Sequence, residues 1–180
     1  MSDRFLPGTT VEIVRERSDL GRVRHVLLDF DGTISLLREG WPEVMIPMMA
    51  EVLSALPDAP AAGEVRAQVR DYVTETTGRQ TIYQMIWLSE QVAAGGGEAR
   101  EPAEYKAEYL RRLGERMRGR LEALESGSAP PGEFLIAGAR ELLEGLRRRG
   151  ARLYCASGTD EADVRREAAL LGVDGFFDGG

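Results

Sequence analysis

The order of predicted strands and helices indicates an α/β protein with a parallel sheet that a helical insert interrupts. Three observations predict this class. A nearly unbroken apolar run of strand length occupies residues 25–30, and a second short run occupies residues 152–156. Most of the sequence between them has helical periodicity. Two strands so far apart in sequence, with helices between them, are expected to pair in parallel.

Two extended segments are predicted near the N-terminus, at residues 9–15 and 22–30, with a turn around residues 18–21 that contains Asp and Gly. The second segment has the pattern of a buried strand. It is almost entirely apolar from residue 25 onward and ends in a polar cluster, which is typical of a central parallel strand buried on both faces.

Four helices are predicted in the insert, and breaks rich in Pro, Gly and Thr separate them. They cover residues 44–56, 63–76, 81–92 and 102–124. A loop is then predicted at residues 126–132, followed by a helix at 137–149, a strand at 152–156, a helix at 160–171 and the start of a third strand at 173–177.

Composition limits the classes of function. The chain has 180 residues and a net charge of −7, which argues against a nucleic-acid partner, since binding to a phosphate backbone needs a basic face. No apolar stretch approaches the roughly 18–20 residues that a membrane span requires, and the N-terminus lacks the pattern of a secretory signal. We therefore expect a cytoplasmic protein with no membrane partner. With one Cys and one His, any metal must be bound by oxygen ligands.

The sequence Asp29-Phe30-Asp31-Gly32-Thr33 lies directly after the first apolar run. Open parallel sheets bind their ligands at the carboxyl ends of their strands, so this cluster is a candidate site. A turn that begins at Asp31 brings both carboxylates toward one pocket. One of them can then attack phosphorus as a nucleophile while the other transfers protons. An Asp-rich turn that only caps the strand is the structural alternative.

This cluster resembles the first motif of the haloacid dehalogenase-like hydrolases, and Leu153-Tyr-Cys-Ala-Ser157 resembles their second motif, an apolar strand that ends in Ser or Thr. The resemblance implies a Rossmann-like parallel-sheet core with an all-helical cap between the two motifs. It assigns residues 1–35 to an N-terminal segment with the first strand, 36–131 to the cap and 132–180 to the rest of the core. The relatives that it suggests are phosphatases similar to phosphoglycolate phosphatase, or mutases similar to β-phosphoglucomutase.

The same resemblance implies roles for individual residues. Asp29 corresponds to the nucleophile and Asp31 to the acid/base, and both correspond to ligands of Mg²⁺, Asp31 through its backbone carbonyl. Ser157 corresponds to a hydroxyl that binds the transferring phosphoryl group. The backbone amides of Phe30, Asp31 and Gly158 complete this phosphate cradle. The acid/base at position 31 favours phosphate chemistry over dehalogenation.

Two further motifs of the family have no match in these 180 residues, a Lys after the second motif and a later pair of acidic metal ligands. The only lysine, Lys106, lies in the predicted cap. We therefore expect a core that is incomplete at its C-terminal side, a chain truncated after Gly180, and little or no turnover by the chain alone. An unpaired sheet edge would also allow the chain to self-associate.

A turn of the cap supplies candidates for contact with a substrate. Arg79 and Gln80 lie between two predicted cap helices, from which they could reach the polar groups of a bound molecule when the cap closes. An exposed turn without function is the alternative.

The function that these features predict is Mg²⁺-dependent hydrolysis of a small phosphorylated metabolite, such as a sugar phosphate or phosphoglycolate, through an aspartyl-phosphate. Two alternatives stay open at this point. One is a phosphomutase, which shares the aspartyl-phosphate step. The other is a catalytically incomplete module that binds a partner or serves a structural role.

Overall fold

The computed structural model describes Phe5, residues 8–14 and residues 23–180. In these residues two strands, β1 (His25–Leu28) and β2 (Arg152–Cys155), form a parallel pair in which His25 is opposite Arg152 and Leu28 is opposite Cys155. This register brings the carboxyl ends of both strands to one edge of the sheet. The amide of Ala156 donates to the carbonyl of Leu28 at 2.8 Å and extends the pairing by one step. The predicted parallel α/β fold is confirmed.

Four helices separate the two strands, as predicted. They are α1 (Pro42–Ser54), α2 (Ala62–Glu75), α3 (Thr81–Ala94) and α4 (Pro102–Glu125). Helix α1 packs against the other three, and α3 packs against α4. Their inward faces are buried and include Met45, Val69, Leu88 and Leu113. The insert is therefore an all-helical cap with apolar inward faces.

After the cap, the chain forms a short 3-10 helix (Pro131–Phe134) and helix α5 (Ala139–Arg148). Strand β2 comes next, and helix α6 (Glu161–Leu170) follows it. Buried side chains from these elements meet those of the cap in one continuous apolar core, which includes Phe30, Leu37, Leu143 and Leu153. Every helix in the described part of the chain is too short or too polar to cross a membrane. The exact domain boundaries at residues 35/36 and 131/132 stay a prediction.

The predicted third strand at residues 173–177 is wrong. Residues Asp174–Phe176 form a 3-10 helix instead, and this helix packs against α5 and α6. The chain joins the sheet later: the amide of Asp178 donates to the carbonyl of Leu153 at 2.7 Å, and Gly179 forms a parallel bridge with Tyr154. The third sheet position is thus occupied from residue 178 onward.

Two predictions for the N-terminal region also need correction. Residues 9–14 form no strand, only a single antiparallel bridge between Glu12 and Phe5; Arg15 and the predicted turn at 18–21 lie outside the described residues. Strand β1 is not buried on both faces, since Leu27 is 70% exposed. Among the described residues β1 pairs with β2 alone, so one of its edges lacks the neighbour that a central strand has.

Candidate active site

Asp29 directly follows β1, where the chain turns sharply. The carbonyl of Phe30 accepts hydrogen bonds from the amides of Thr33, Ile34 and Ser35, at 3.3, 2.9 and 2.9 Å. Gly32 makes this turn possible, because its φ of +78° lies in the left-handed region that other residues rarely adopt. The turn is therefore a compact loop that is closed on its own backbone.

The carboxylate of Asp29 is solvent-exposed and oriented by one contact. The hydroxyl of Thr33 donates to Oδ2 of Asp29 at 2.9 Å. The other oxygen, Oδ1, accepts no hydrogen bond from any residue that the structure describes. Asp29 thus presents an accessible oxygen at the end of β1, as a nucleophile must.

Asp31 is held by the loop that follows β2. Its Oδ2 accepts hydrogen bonds from the hydroxyls of Thr159, at 2.7 Å, and Ser157, at 3.3 Å. The structure therefore brings Asp31 and Ser157 together across the edge of the sheet. The sequence analysis did not identify Thr159 as a site residue, because only Ser157 directly follows the apolar run. The sequence offered one indication, which is that Thr159 lies two residues beyond Ser157 in the same polar loop.

Three backbone amides that the family resemblance assigned to phosphate binding are available. Within the described residues, the N–H groups of Phe30, Asp31 and Gly158 donate to no acceptor. Two of them belong to the loop after β1 and the third to the loop after β2. Free amides at the ends of parallel strands can bind the oxygens of an anion.

The turn of the cap between α2 and α3 lies directly against the loop after β2. A Cβ atom at Gly158 would stand 2.6 Å from the carbonyl oxygen of Arg79, so the two backbones are in close contact. A cavity of about 490 Å³ is lined by Gln80 of this turn and by Ser157 and Thr159 of the core loop. Asp29 and Asp31 do not line it. The structure thus places Arg79 and Gln80 beside the loop that holds Asp31, and it shows no side-chain contact between them and either aspartate.

The only lysine also connects cap and core. Nζ of Lys106, on α4, lies 2.7 and 2.8 Å from the two carboxylate oxygens of Asp160, next to Thr159. This ion pair is partly exposed, so it contributes little to stability. Lys106 contacts neither Asp29 nor Asp31, which agrees with its placement in the cap.

A cluster of charged side chains that the sequence analysis did not predict lies next to Asp31, on the side of α6. Arg38, which is 8% exposed, donates from Nε and Nη2 to Glu167 on α6 and from Nη2 to Asp163. Its Nε lies 3.8 Å from Oδ1 of Asp31. The sequence did contain an indication of this cluster. Glu167 lies within the apolar stripe of α6, and a carboxylate that is buried there needs a cationic partner.

The electrostatic field of the two aspartates reaches β2. Burial, together with the negative charges of Asp29 and Asp31, raises the pKa of the Cys155 thiol to about 11. Cys155 is therefore a protonated thiol at neutral pH.

The residues that could hold a metal ion are few. The carboxylate of Asp29 and the backbone carbonyl of Asp31, which accepts no hydrogen bond from a described residue, are hard oxygen ligands of the kind that Mg²⁺ prefers. Among the described residues no group of three or more His, Cys, Asp or Glu side chains could hold a metal. Mg²⁺ commonly keeps several waters and takes one or two carboxylates, so the donor set fits this ion with few protein ligands.

An α/β sheet with a helical cap and an aspartate loop at the carboxyl ends of its strands defines a class of hydrolases. A sequence model of the haloacid dehalogenase-like hydrolases matches residues 23–180. The chain belongs to this family. No curated protein matches the sequence significantly.

Several solved structures are similar to this chain. A predicted phosphoglycolate phosphatase from Haemophilus somnus 129pt is 17% identical, with a TM-score of 0.51, and the match covers 89% of this chain and 62% of that one. A HAD phosphatase from Thermococcus onnurineus is 18% identical over 87% of this chain and 60% of that one, with a TM-score of 0.44. Magnesium-bound YfnB from Bacillus subtilis is 17% identical over 88% and 64%, with a TM-score of 0.46. The chain therefore spans less than two thirds of the length of these structures.

Proposed function

We propose that the chain carries part of the active site of a phosphomonoester hydrolase, namely its nucleophile, its acid/base and its phosphate-binding groups. The enzyme acts on a small phosphorylated metabolite through an aspartyl-phosphate. One observation carries the proposal: the accessible carboxylate of Asp29 stands two residues from Asp31, whose Oδ2 is fixed by Thr159 and Ser157. The pair thus combines an exposed nucleophile with a second carboxylate held in place for proton transfer. Membership in a family of hydrolases supports this proposal.

In the first step, an oxygen of Asp29 attacks phosphorus and the bond from phosphorus to the substrate's ester oxygen breaks. Asp31, in its protonated form, gives its proton to that departing oxygen, which leaves as an alcohol. In the second step, Asp31 removes a proton from water, and the water oxygen attacks phosphorus. The bond between phosphorus and Asp29 breaks, which releases phosphate and restores both carboxyl groups.

The groups around the two aspartates bind the phosphoryl group. The amides of Phe30, Asp31 and Gly158 bind its oxygens as their charge changes, and the hydroxyl of Ser157 turns from Asp31 to join them while Thr159 keeps its hydrogen bond to Asp31. The Asp29 carboxylate and the Asp31 carbonyl would hold Mg²⁺, which would supply positive charge that offsets the negative charge of the nucleophile and the substrate. With so few protein ligands, we expect weak Mg²⁺ binding and slow turnover by these 180 residues.

The cap completes the proposal. Residues 36–131 form the cap. Arg79 and Gln80 lie in the cap turn that contacts Gly158, and from there they contribute to the recognition of the substrate. A cap in contact with the core loop suits a small substrate, because it excludes water from the reacting groups. A cytoplasmic location, self-association through the exposed sheet edge, and the absence of nucleic-acid and membrane partners stay predictions.

The experiment that tests this function measures phosphate release from a panel of small phosphate esters over long incubations with Mg²⁺. We expect slow release that chelation with EDTA abolishes and that D29N eliminates. Asp71→Asn, which neutralises an exposed aspartate on α2, is the matched control and keeps the wild-type rate. Release by D29N at the rate of the wild type would contradict the proposal, and conversion of a substrate into its isomer without phosphate release would indicate a mutase.

A further inference from the structure

The two oxygens of Asp31 have different surroundings. Oδ2 accepts two hydrogen bonds, from Thr159 and Ser157. Oδ1 is buried and accepts no hydrogen bond from any residue that the structure describes. A buried carboxylate oxygen without a donor is costly, so another group must balance its charge.

The guanidinium of Arg38 is the group that stands there, with Nε 3.8 Å from Oδ1 of Asp31. This distance is too long for a hydrogen bond but short enough for a strong charge interaction in a poorly solvated place. The N–H groups of Arg38 point elsewhere. Nε donates to both carboxylate oxygens of Glu167, at 3.1 and 3.2 Å, and Nη2 donates to the same residue at 2.7 Å.

The carboxylates that hold Arg38 lie on α6, and the closest of them is buried. The side chains of Arg38 and Glu167 are only 9% and 6% exposed, and Asp163 adds a contact of 3.2 Å from the preceding turn of α6. Burial acts to lower the pKa of Arg38, but the hydrogen bond and charge of Glu167 outweigh it and raise the pKa, so the guanidinium stays charged. A bidentate, buried arginine of this kind has little freedom to move.

We infer that Arg38 is a positioning residue for Asp31. It presents a fixed positive charge to Oδ1, so the carboxylate is held on both sides, by this charge and by the hydroxyls at Oδ2. The inference deepens the proposed function and rests on it, since Asp31 is the acid/base there. Arg38 lies in the linker between the loop after β1 and the first cap helix, and through Glu167 it ties that linker to α6.

The test compares R38M with R120M. Arg120 is the matched control, because from α4 it donates to linker carbonyls, those of Leu36, Leu37 and Glu39, but does not approach Asp31. In crystal structures, we expect Asp31 of R38M to rotate and lose its hydrogen bond with Thr159, while R120M keeps it. If Asp31 retains both hydrogen bonds in R38M, the inference is overturned. Should R38M fail to fold, R38Q, an uncharged variant that keeps an amide donor for Glu167, takes its place.

A kinetic measurement separates positioning from a purely structural role. We expect acetyl phosphate to phosphorylate the wild type in the presence of Mg²⁺, and because its acetate leaves without a proton, we expect R38M to be phosphorylated at the wild-type rate. Decay of the phosphoenzyme needs Asp31 as a base and slows by about tenfold or more in R38M, given that acid–base catalysis contributes about 10²–10⁴-fold. Equal slowing of both steps, or of neither, overturns the inference. If the wild type forms no phosphoenzyme, the proposed function fails, while the crystal structures still decide the role of Arg38.

Discussion

At the scale of single residues, Cys155 can report the charge of the two aspartates. It is the only cysteine, it ends β2, and the pKa of its thiol is raised to about 11 by burial and then by Asp29 and Asp31. Alkylation by iodoacetamide requires the thiolate. We therefore expect the reaction to be slow at pH 8 and to accelerate as the pH rises toward about 11, which mass spectrometry of the intact protein can follow.

The variant D29N sharpens this prediction. Loss of one negative charge removes part of the cause that raises the pKa of Cys155, so alkylation should begin at a lower pH than in the wild type. D71N, on α2, serves as the control and leaves the profile unchanged. An identical profile in D29N would show that the charge of Asp29 does not reach the thiol.

The residues of the site differ in how well the sequence predicts them. Asp29, Asp31 and Ser157 follow apolar runs, and that local pattern is enough to place them at strand ends. Thr159 and Arg38 have no such pattern. Their importance arises from contacts with Asp31, which is 128 and seven residues away along the chain, and from the packing of α6 against the linker. Contacts of this kind depend on the tertiary structure and are not visible in local periodicity.

At the scale of elements, the contact between the cap turn and the loop after β2 depends on Gly158. An alanine there would place its Cβ 2.6 Å from the carbonyl oxygen of Arg79, which is closer than a carbon atom can approach. The cap turn must then shift. We expect G158A to lower the free energy of unfolding by about 1–3 kcal/mol, the usual cost of overpacking. Urea denaturation followed by circular dichroism measures the change.

The same substitution in α4 should have the opposite sign. Gly114 is exposed in the interior of this helix, and no atom lies within 4 Å of the Cβ that an alanine would add. Since glycine is less favourable than alanine in a helix by about 0.5–1 kcal/mol, G114A should stabilise the protein by that amount. If G158A and G114A shifted the urea midpoint in the same direction, the close contact at Gly158 would be refuted.

The helices of the cap were predictable because each has an apolar face with regular spacing and a clear break at its end. The segment at residues 173–177 shows the limit of this reasoning. Its apolar side chains at 173, 176 and 177 fit a short strand as well as one helical turn, and packing against α5 and α6 selects the turn. The exposure of Leu27 shows a second limit, since burial depends on which strands stand beside β1.

At the scale of the whole molecule, the cap and the sheet share one apolar core, and polar contacts link them around the candidate site. Lys106 on α4 binds Asp160, the cap turn touches Gly158, and Arg120 on α4 donates to the linker that carries Arg38. The cap is therefore coupled to both loops that hold the aspartates.

The central claim is that Asp29 is a covalent nucleophile, and the location of a trapped phosphoryl group tests it most directly. The protein is incubated with acetyl phosphate and Mg²⁺, quenched in acid, digested and sequenced by mass spectrometry. We predict a phosphoryl group on Asp29, none in D29N, and accumulation in D31N, which lacks the base for the second step. A phosphoryl group on any other residue, or labelling of D29N to the wild-type level, would contradict the account.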